Sequence, residues 1–121
     1  MYCLIKTNLY SIIFLQKDLK SKKNLITALT IETTILDFQL SNTFEQYESY
    51  MNAEEQQSMF KEMEVKTFYI GKSLDDPQRA TVIFQGPENT LYDIFMNPDT
   101  KPIVEASGHI YAGTKITRWI S

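Results

Sequence analysis

Two apolar segments separated by a polar turn, within residues 65–86, constrain the fold of this chain most strongly. Residues 65–72 and residues 80–85 are rich in Val, Ile, Thr, Phe and Tyr, which suit a pleated strand. The residues between them include Asp75, Asp76 and Pro77, which favour a turn. The sequence therefore predicts a β-hairpin in this region.

Residues 31–40, IETTILDFQL, predict a further strand before the hairpin. Leu36, Phe38 and Leu40 fall on one face of this strand and Asp37 on the other, as the two-residue period of a strand requires. Residues 109–120, HIYAGTKITRWI, predict a last strand. We expect this last strand to be bent or bulged at its internal glycine.

Two segments carry apolar side chains at helical spacing, one on each side of the hairpin. The first is expected to begin after Asn42, which resembles a capping box with Glu45, and to break and restart at residues 52–55. The second is expected to begin at residues 86–89. The apolar residues are Phe44, Tyr47, Met51, Met59, Phe60 and Met63 in the first segment and Leu91, Ile94 and Phe95 in the second.

The predicted order is strand, helix, strand, strand, helix, strand. This order is typical of the ferredoxin-like βαββαβ arrangement, an α+β fold with one antiparallel four-stranded sheet and helices on one face. We therefore expect residues 31–121 to form one ferredoxin-like domain.

The second face of this sheet carries more large apolar side chains than a solvated face needs. Tyr69 is opposed to Phe68, and Trp119 is opposed to Ile120, so apolar groups point to both sides. An exposed apolar face favours association. We expect a homodimer, with two sheets packed face to face as a dimeric α/β barrel that encloses a space; a monomer with exposed aromatic residues is the alternative.

The charge of the chain is divided unevenly along its length. Residues 1–30 carry five lysines and one aspartate, a net charge of +4, whereas the remaining residues carry seven basic and fourteen acidic side chains, a net charge of −7. A nucleic-acid surface needs a basic stripe, so an acidic body argues against a nucleic-acid partner.

The first thirty residues are expected to be an N-terminal extension that is disordered, helical or the product of a start-site artefact. Their apolar stretch, residues 9–15, is shorter than the roughly 20 residues that span a bilayer, and it lacks the charge order of a signal peptide. We therefore expect no membrane partner. Cys3 is the single cysteine, which excludes an internal disulfide and suits a reducing, cytoplasmic location.

A few residues are candidates for a functional site. His109, the single histidine, is a candidate catalytic residue because it suits acid–base work. Tyr69, Tyr111 and Trp119 are candidates for ligand binding, because aromatic rings stack on planar ligands; Asp37 is a further candidate, because it adds a polar group to the second face of the sheet. No nucleophile elbow, phosphate loop or HExxH motif occurs, so we predict no metal site and no cofactor. Haem ligation is a conceivable role for His109, but no sequence pattern supports it.

Two longer segments carry a family resemblance. Residues 71–89, GKSLDDPQRATVIFQGPEN, and residues 107–121, SGHIYAGTKITRWIS, resemble a small cyanobacterial family of unknown function. At fold level, residues 31–121 are similar to the dimeric α/β-barrel superfamily, which includes antibiotic-biosynthesis-type monooxygenases and haem-degrading relatives. The resemblance implies a fold and a dimer; it implies no activity, because no catalytic or haem-ligand set of that superfamily matches positions in this chain.

Three functions follow from these observations. The first is a homodimer that binds a small, partly apolar ligand between its sheets. The second is a cofactor-independent oxidoreductase, monooxygenase-like enzyme or isomerase that uses His109 and a tyrosine as proton carriers. The third is a structural module that binds another protein through its strand face. Whether the chain is an enzyme stays open at the level of sequence.

We predict that residues 30–121 fold without the first 29 residues, because all predicted strands and helices of the domain lie within them. Thermal unfolding followed by circular dichroism should show one cooperative transition for this fragment, at a midpoint close to that of the full chain. Absence of a cooperative transition in the fragment would contradict the predicted boundary.

Overall fold

The computed structural model describes residues 30–121, which contain four strands, four α-helices and one short 3₁₀ helix. Of the predicted N-terminal extension only Thr30 falls in this range, so that prediction lies otherwise outside the described residues. The strands are β1 (Ile31–Leu40), β2 (Lys66–Lys72), β3 (Arg79–Pro87) and β4 (His109–Ile120). The helices are α1 (Phe44–Asn52), α2 (Glu54–Glu62), α3 (Thr90–Met96) and α4 (Lys101–Ala106), with the 3₁₀ helix at Pro98–Thr100.

The strands form one antiparallel sheet in the order β2-β3-β1-β4. The predicted α+β class, with one antiparallel four-stranded sheet, is therefore confirmed. β1 lies inside the sheet and pairs with both β3 and β4. Every second residue of β1 is buried, beginning at Glu32 and ending at Leu40, as predicted for Leu36, Phe38 and Leu40.

The helices pack against this buried side of the sheet. Tyr47 and Met51 of α1, Ile94 of α3 and Ile103 of α4 belong to the same buried cluster as Leu36, Phe38, Val82 and Phe84 of the central strands. No helix within residues 30–121 is long and apolar enough to cross a membrane.

The opposite side of the sheet, which we call the open face, bears side chains that are half-buried or exposed. Cross-strand partners share a face, so the register identifies the other members of this surface. The open face carries Ile31, Thr33, Ile35, Asp37 and Gln39 of β1, Arg79, Thr81, Ile83 and Gln85 of β3, Tyr69 of β2, and Lys115, Thr117 and Trp119 of β4.

Two helix starts differ from the sequence predictions. Thr43, rather than Asn42, caps α1: its hydroxyl accepts the backbone N–H of Gln46, whose side chain accepts the N–H of Thr43. Asn42 instead donates its amide to the carbonyl of Ser107. The second prediction was wrong because β3 continues through residue 87, so α3 begins only at residue 90, after Asn89 with a φ of 70°.

Two other local predictions are confirmed. The first helical segment breaks at Ala53, whose extended backbone separates α1 from α2. β4 is bulged. Asp37 pairs with Lys115 and Gln39 pairs with Ile110, so an advance of two residues along β1 corresponds to five residues along β4. Gly113 lies in this bulge with a φ of +80°, a conformation that glycine adopts without strain.

A buried ion pair joins β1 to β4. Glu32, only 3% exposed, accepts hydrogen bonds from Nε and Nη2 of Arg118 at 2.8 and 2.7 Å. It also accepts the hydroxyl of Thr34 and the backbone N–H of Asn89, at the start of α3. Mainly because Arg118 donates to it, the pKa of Glu32 is lowered to about 2. This carboxylate therefore connects three elements at one end of the sheet.

We predict that Glu32→Gln lowers the free energy of unfolding by about 2 kcal/mol at pH 7, because the buried carboxylate that accepts from Arg118 is lost, while the Arg118 side chain, 35% exposed, remains solvated. The folded pKa lies below the ordinary 4.5, so the contribution of Glu32 is present above pH 4.5 and is lost as the pH falls toward 2. Urea unfolding at several pH values measures both effects.

Asp37→Asn provides the matched control, because Asp37 pairs with Arg79 in the same bidentate way on the half-exposed open face. Water screens that pair, so its loss should cost much less than the loss of the Glu32 pair. Equal losses for the two variants would contradict the importance assigned to burial.

Candidate functional site

The five candidate residues from the sequence lie in three places. Asp37 and Tyr69 lie together in one pocket on the open face. His109 lines the space between sheet and helices, and Tyr111 contacts Phe95 of α3. Trp119 lies near the end of β4 and pairs with Thr33 of β1. The sheet thus separates the candidate catalytic histidine from the Asp37 and Tyr69 pair.

The pocket on the open face has a volume of about 210 Å³. It forms where β1, β2 and β3 meet the turn that joins the two hairpin strands. We call it the open-face pocket. Its lining residues are Asp37, Tyr69, Gly71, Lys72, Ser73, Arg79, Ala80 and Thr81.

A bidentate ion pair forms one wall of the open-face pocket. Arg79 donates from Nε and Nη2 to the two carboxylate oxygens of Asp37 at 2.8 and 2.7 Å. Chiefly because of these hydrogen bonds, the pKa of Asp37 is lowered, and Lys115 on β4 adds a smaller effect of the same sign. Asp37 is therefore ionised at neutral pH, and Arg79 balances its charge. The carboxylate is a hydrogen-bond acceptor rather than a free base.

Tyr69 forms the aromatic wall of the pocket. Its ring lies across Gly71: a Cβ atom added at Gly71 would lie 2.5 Å from the tyrosine hydroxyl. The absence of a side chain at Gly71 therefore allows the Tyr69 ring to lie along β2. Tyr69 is 53% exposed, so its ring is accessible to a planar group from solvent.

His109 is buried on the other side of the sheet. Its ring stacks flat on Phe38, with centroids 3.7 Å apart, and its Nε2 lies 2.8 Å from the hydroxyl oxygen of Thr114 in the β4 bulge. Burial lowers the pKa of His109 to about 4. The imidazole is therefore neutral at pH 7 and is held by a stacking partner and a hydrogen-bond partner.

The remaining two candidates have different surroundings. Tyr111 stacks on Phe95 at a centroid distance of 4.7 Å and donates its hydroxyl to the Phe95 carbonyl at 2.6 Å. That hydroxyl is thus engaged in holding α3 against β4. Trp119 is 59% exposed and belongs to the open face, opposite Thr33.

Sequence reasoning missed Arg79 as a site residue. Asp37 pairs with Thr81 in the sheet, which places Arg79, two residues before Thr81, on the diagonal position of the same face. The only signal in the sequence was a basic residue at the end of a turn. No group of three His, Cys, Asp or Glu residues in the described part of the chain is arranged to hold a metal ion.

A family model described as a domain of unknown function, DUF3764, matches residues 31–121. The chain therefore belongs to this family. No curated protein and no solved structure matches the chain significantly. The predicted membership in a family of unknown function is confirmed, and that membership assigns no activity.

We predict that the histidine ring titrates with a midpoint near pH 4 in the folded protein, because burial disfavours the charged imidazolium. The chain has one histidine, so proton NMR shows one set of ring signals and needs no assignment. In urea, the midpoint should return toward 6.5. Because the folded pKa is the lower one, stability falls as the pH drops from 6.5 to 4. A folded midpoint near 6.5 would show that His109 is solvated.

Proposed function

We propose that this chain forms a homodimer through the open face and binds a small, partly apolar ligand between the two sheets. The composition of the open face carries this proposal. Ile31, Ile35, Ile83, Tyr69 and Trp119 share this side of the sheet with threonine and glutamine side chains, and the helices within residues 30–121 pack on the other side. An apolar surface of this kind favours association.

The charges on the open face favour a second copy of the chain as its binding partner. Asp37 and Arg79 neutralise each other within one subunit, so neither ion needs a counter-charge from across the interface. The other charges that the register places on this face, Lys66 and Lys115, lie on the edge strands β2 and β4, so the central strands can meet a twofold-related copy without like-charge repulsion. A domain of this size also has a modest core of its own, and burial against a partner adds to it.

The strand order supports the finer assignment of the fold. The order β2-β3-β1-β4, with helical segments after β1 and after β3, agrees with a ferredoxin-like βαββαβ arrangement. In a dimeric α/β barrel, two such sheets face each other through their open faces. The proposed dimer would enclose the open-face pocket of each subunit.

The ligand class follows from the walls of the open-face pocket. The exposed ring of Tyr69 suits stacking on a planar group, while Asp37 and Arg79, with side chains 35% and 42% exposed, offer an acceptor and a donor. The geometry favours binding over catalysis, because His109 lies on the far side of the sheet from this pocket.

The oligomeric state tests the dimer. Light scattering coupled to size exclusion should give twice the 14.1 kDa chain mass for the wild type. It should give the monomer mass, 14.1 kDa, for Ile83→Lys, which introduces a charge at the centre of the open face. Leu74→Lys is the matched control: Leu74 is 99% exposed in the hairpin turn, so this variant should remain dimeric. A monomeric wild type would overturn the proposal.

Native mass spectrometry tests the ligand part separately. The wild-type dimer should retain a small molecule from purification, and the dimer fraction of Tyr69→Ala should lose that molecule, since the open-face pocket loses its aromatic wall. A dimer that carries no small molecule would support the association and overturn the ligand.

A further inference from the structure

A second cavity lies between the sheet and the helices. Its volume is about 90 Å³, and residues from β1, β3, β4 and all four described helices line it. Met51, Met59 and Met63 form part of its wall, together with the rings of Phe84 and Phe95. Methionine side chains are flexible and adapt to the shape of what they enclose. The cavity is thus a mainly apolar space with an adaptable wall.

The lining of this cavity includes no charged side chain. It contains no Asp, Glu, Lys or Arg, and the pKa of its one histidine, His109, is lowered by burial so that the ring is neutral at pH 7. Transfer of an ion into such a space is costly, because no counter-charge is present to replace its hydration. The cavity therefore suits a neutral occupant.

One polar side chain in the wall lacks a partner. Thr100, at the end of the 3₁₀ helix, is only 3% exposed, and its Oγ1 has no hydrogen-bond partner in the described part of the chain. Ser107 and His109 also line the cavity, but Ser107 donates to the Val104 carbonyl and His109 bonds to Thr114. A buried hydroxyl without a partner destabilises a protein, so a partner supplied by an occupant would be favourable.

We propose that this cavity binds a compact, neutral, mainly apolar molecule that carries one hydroxyl group, the class that ethanol represents. The volume of about 90 Å³ is roughly three times the ~30 Å³ share of one water molecule. It is smaller than the engineered apolar cavity of about 150 Å³ that holds benzene or xenon. Thr100 lines the cavity, and its unpaired hydroxyl is the group that we assign to the hydroxyl of the occupant.

The occupant has a route into the cavity between the helices. Phe60 on α2, Leu91 on α3 and Val104 on α4 line the cavity and are only half-buried, so the outer wall lies where these helices meet solvent. Side-chain rotation at this wall is the route of entry that we propose. The site lies on the opposite side of the sheet from the open face, so it does not depend on the proposed dimer.

Methionine methyl NMR on the full chain tests this proposal, with ethanol as the hydroxyl-bearing probe and xenon as the apolar probe. The methyl signals of Met51, Met59 and Met63 should shift and saturate with either probe. Met96, 48% exposed and not part of the lining, is an internal control whose signal should not change. Shifts that do not saturate, or that are as large at Met96, would overturn the proposal.

Thr100→Val tests the role of the hydroxyl, because it keeps the shape of the side chain and removes the unpaired oxygen. We expect ethanol to bind about five- to tenfold more weakly, the effect of one hydrogen bond, while xenon binding is unchanged. The methyl spectrum without probe shows whether the variant is folded. Equal affinity of the variant and the wild type for ethanol would overturn the assigned hydrogen bond.

Val104→Phe tests the location, because its ring fills the outer wall of the cavity. Both probes should lose their saturable shifts in this variant and keep them in Val104→Ala, which enlarges the same position. Retention of binding in a folded Val104→Phe protein would show that the probes bind elsewhere.

Discussion

The central position of β1 is the constraint on which the rest of the structure depends. β1 is paired along both edges, so its backbone polar groups are satisfied within the sheet and its side chains alone distinguish the two faces. Alternate residues turn Leu36, Phe38 and Leu40 to the helices and Ile35 and Asp37 to the open face. This alternation determines on which side of the sheet the helices, the cavity between sheet and helices, and the open-face pocket lie.

Two ion pairs of similar geometry lie at different ends of the sheet and have different surroundings. Glu32 and Arg118 form a bidentate pair from which water is excluded at the carboxylate, and the pair joins β1, β4 and the start of α3. Asp37 and Arg79 form the same kind of pair on the open face, where both side chains remain partly exposed. Because the Glu32 carboxylate is buried, removal of its partner destabilises the fold, while exposure leaves the second pair available to line a pocket.

The local features of this fold were largely predictable because they depend on neighbouring residues. The strand at residues 31–40, the helix break at Ala53 and the bulge around Gly113 follow from side-chain alternation and from the backbone preferences of single residues. The predicted cap at Asn42 and the early start of α3 were wrong for a long-range reason. Asn42 bonds to Ser107, 65 residues away, and β3 is extended to residue 87 by its pairing with β1.

By itself the sequence determined the approximate positions of the strands and of the helical segments, that the fold belongs to the α+β class, and that Asp37 points away from Leu36 and Phe38. Only the tertiary structure decided which of these residues meet. Strand register placed Arg79 beside Asp37, and the path of β4 placed His109 on the helix side, stacked on Phe38. Contacts across the sheet depend on pairing between distant segments, whereas sequence periods report only on neighbours.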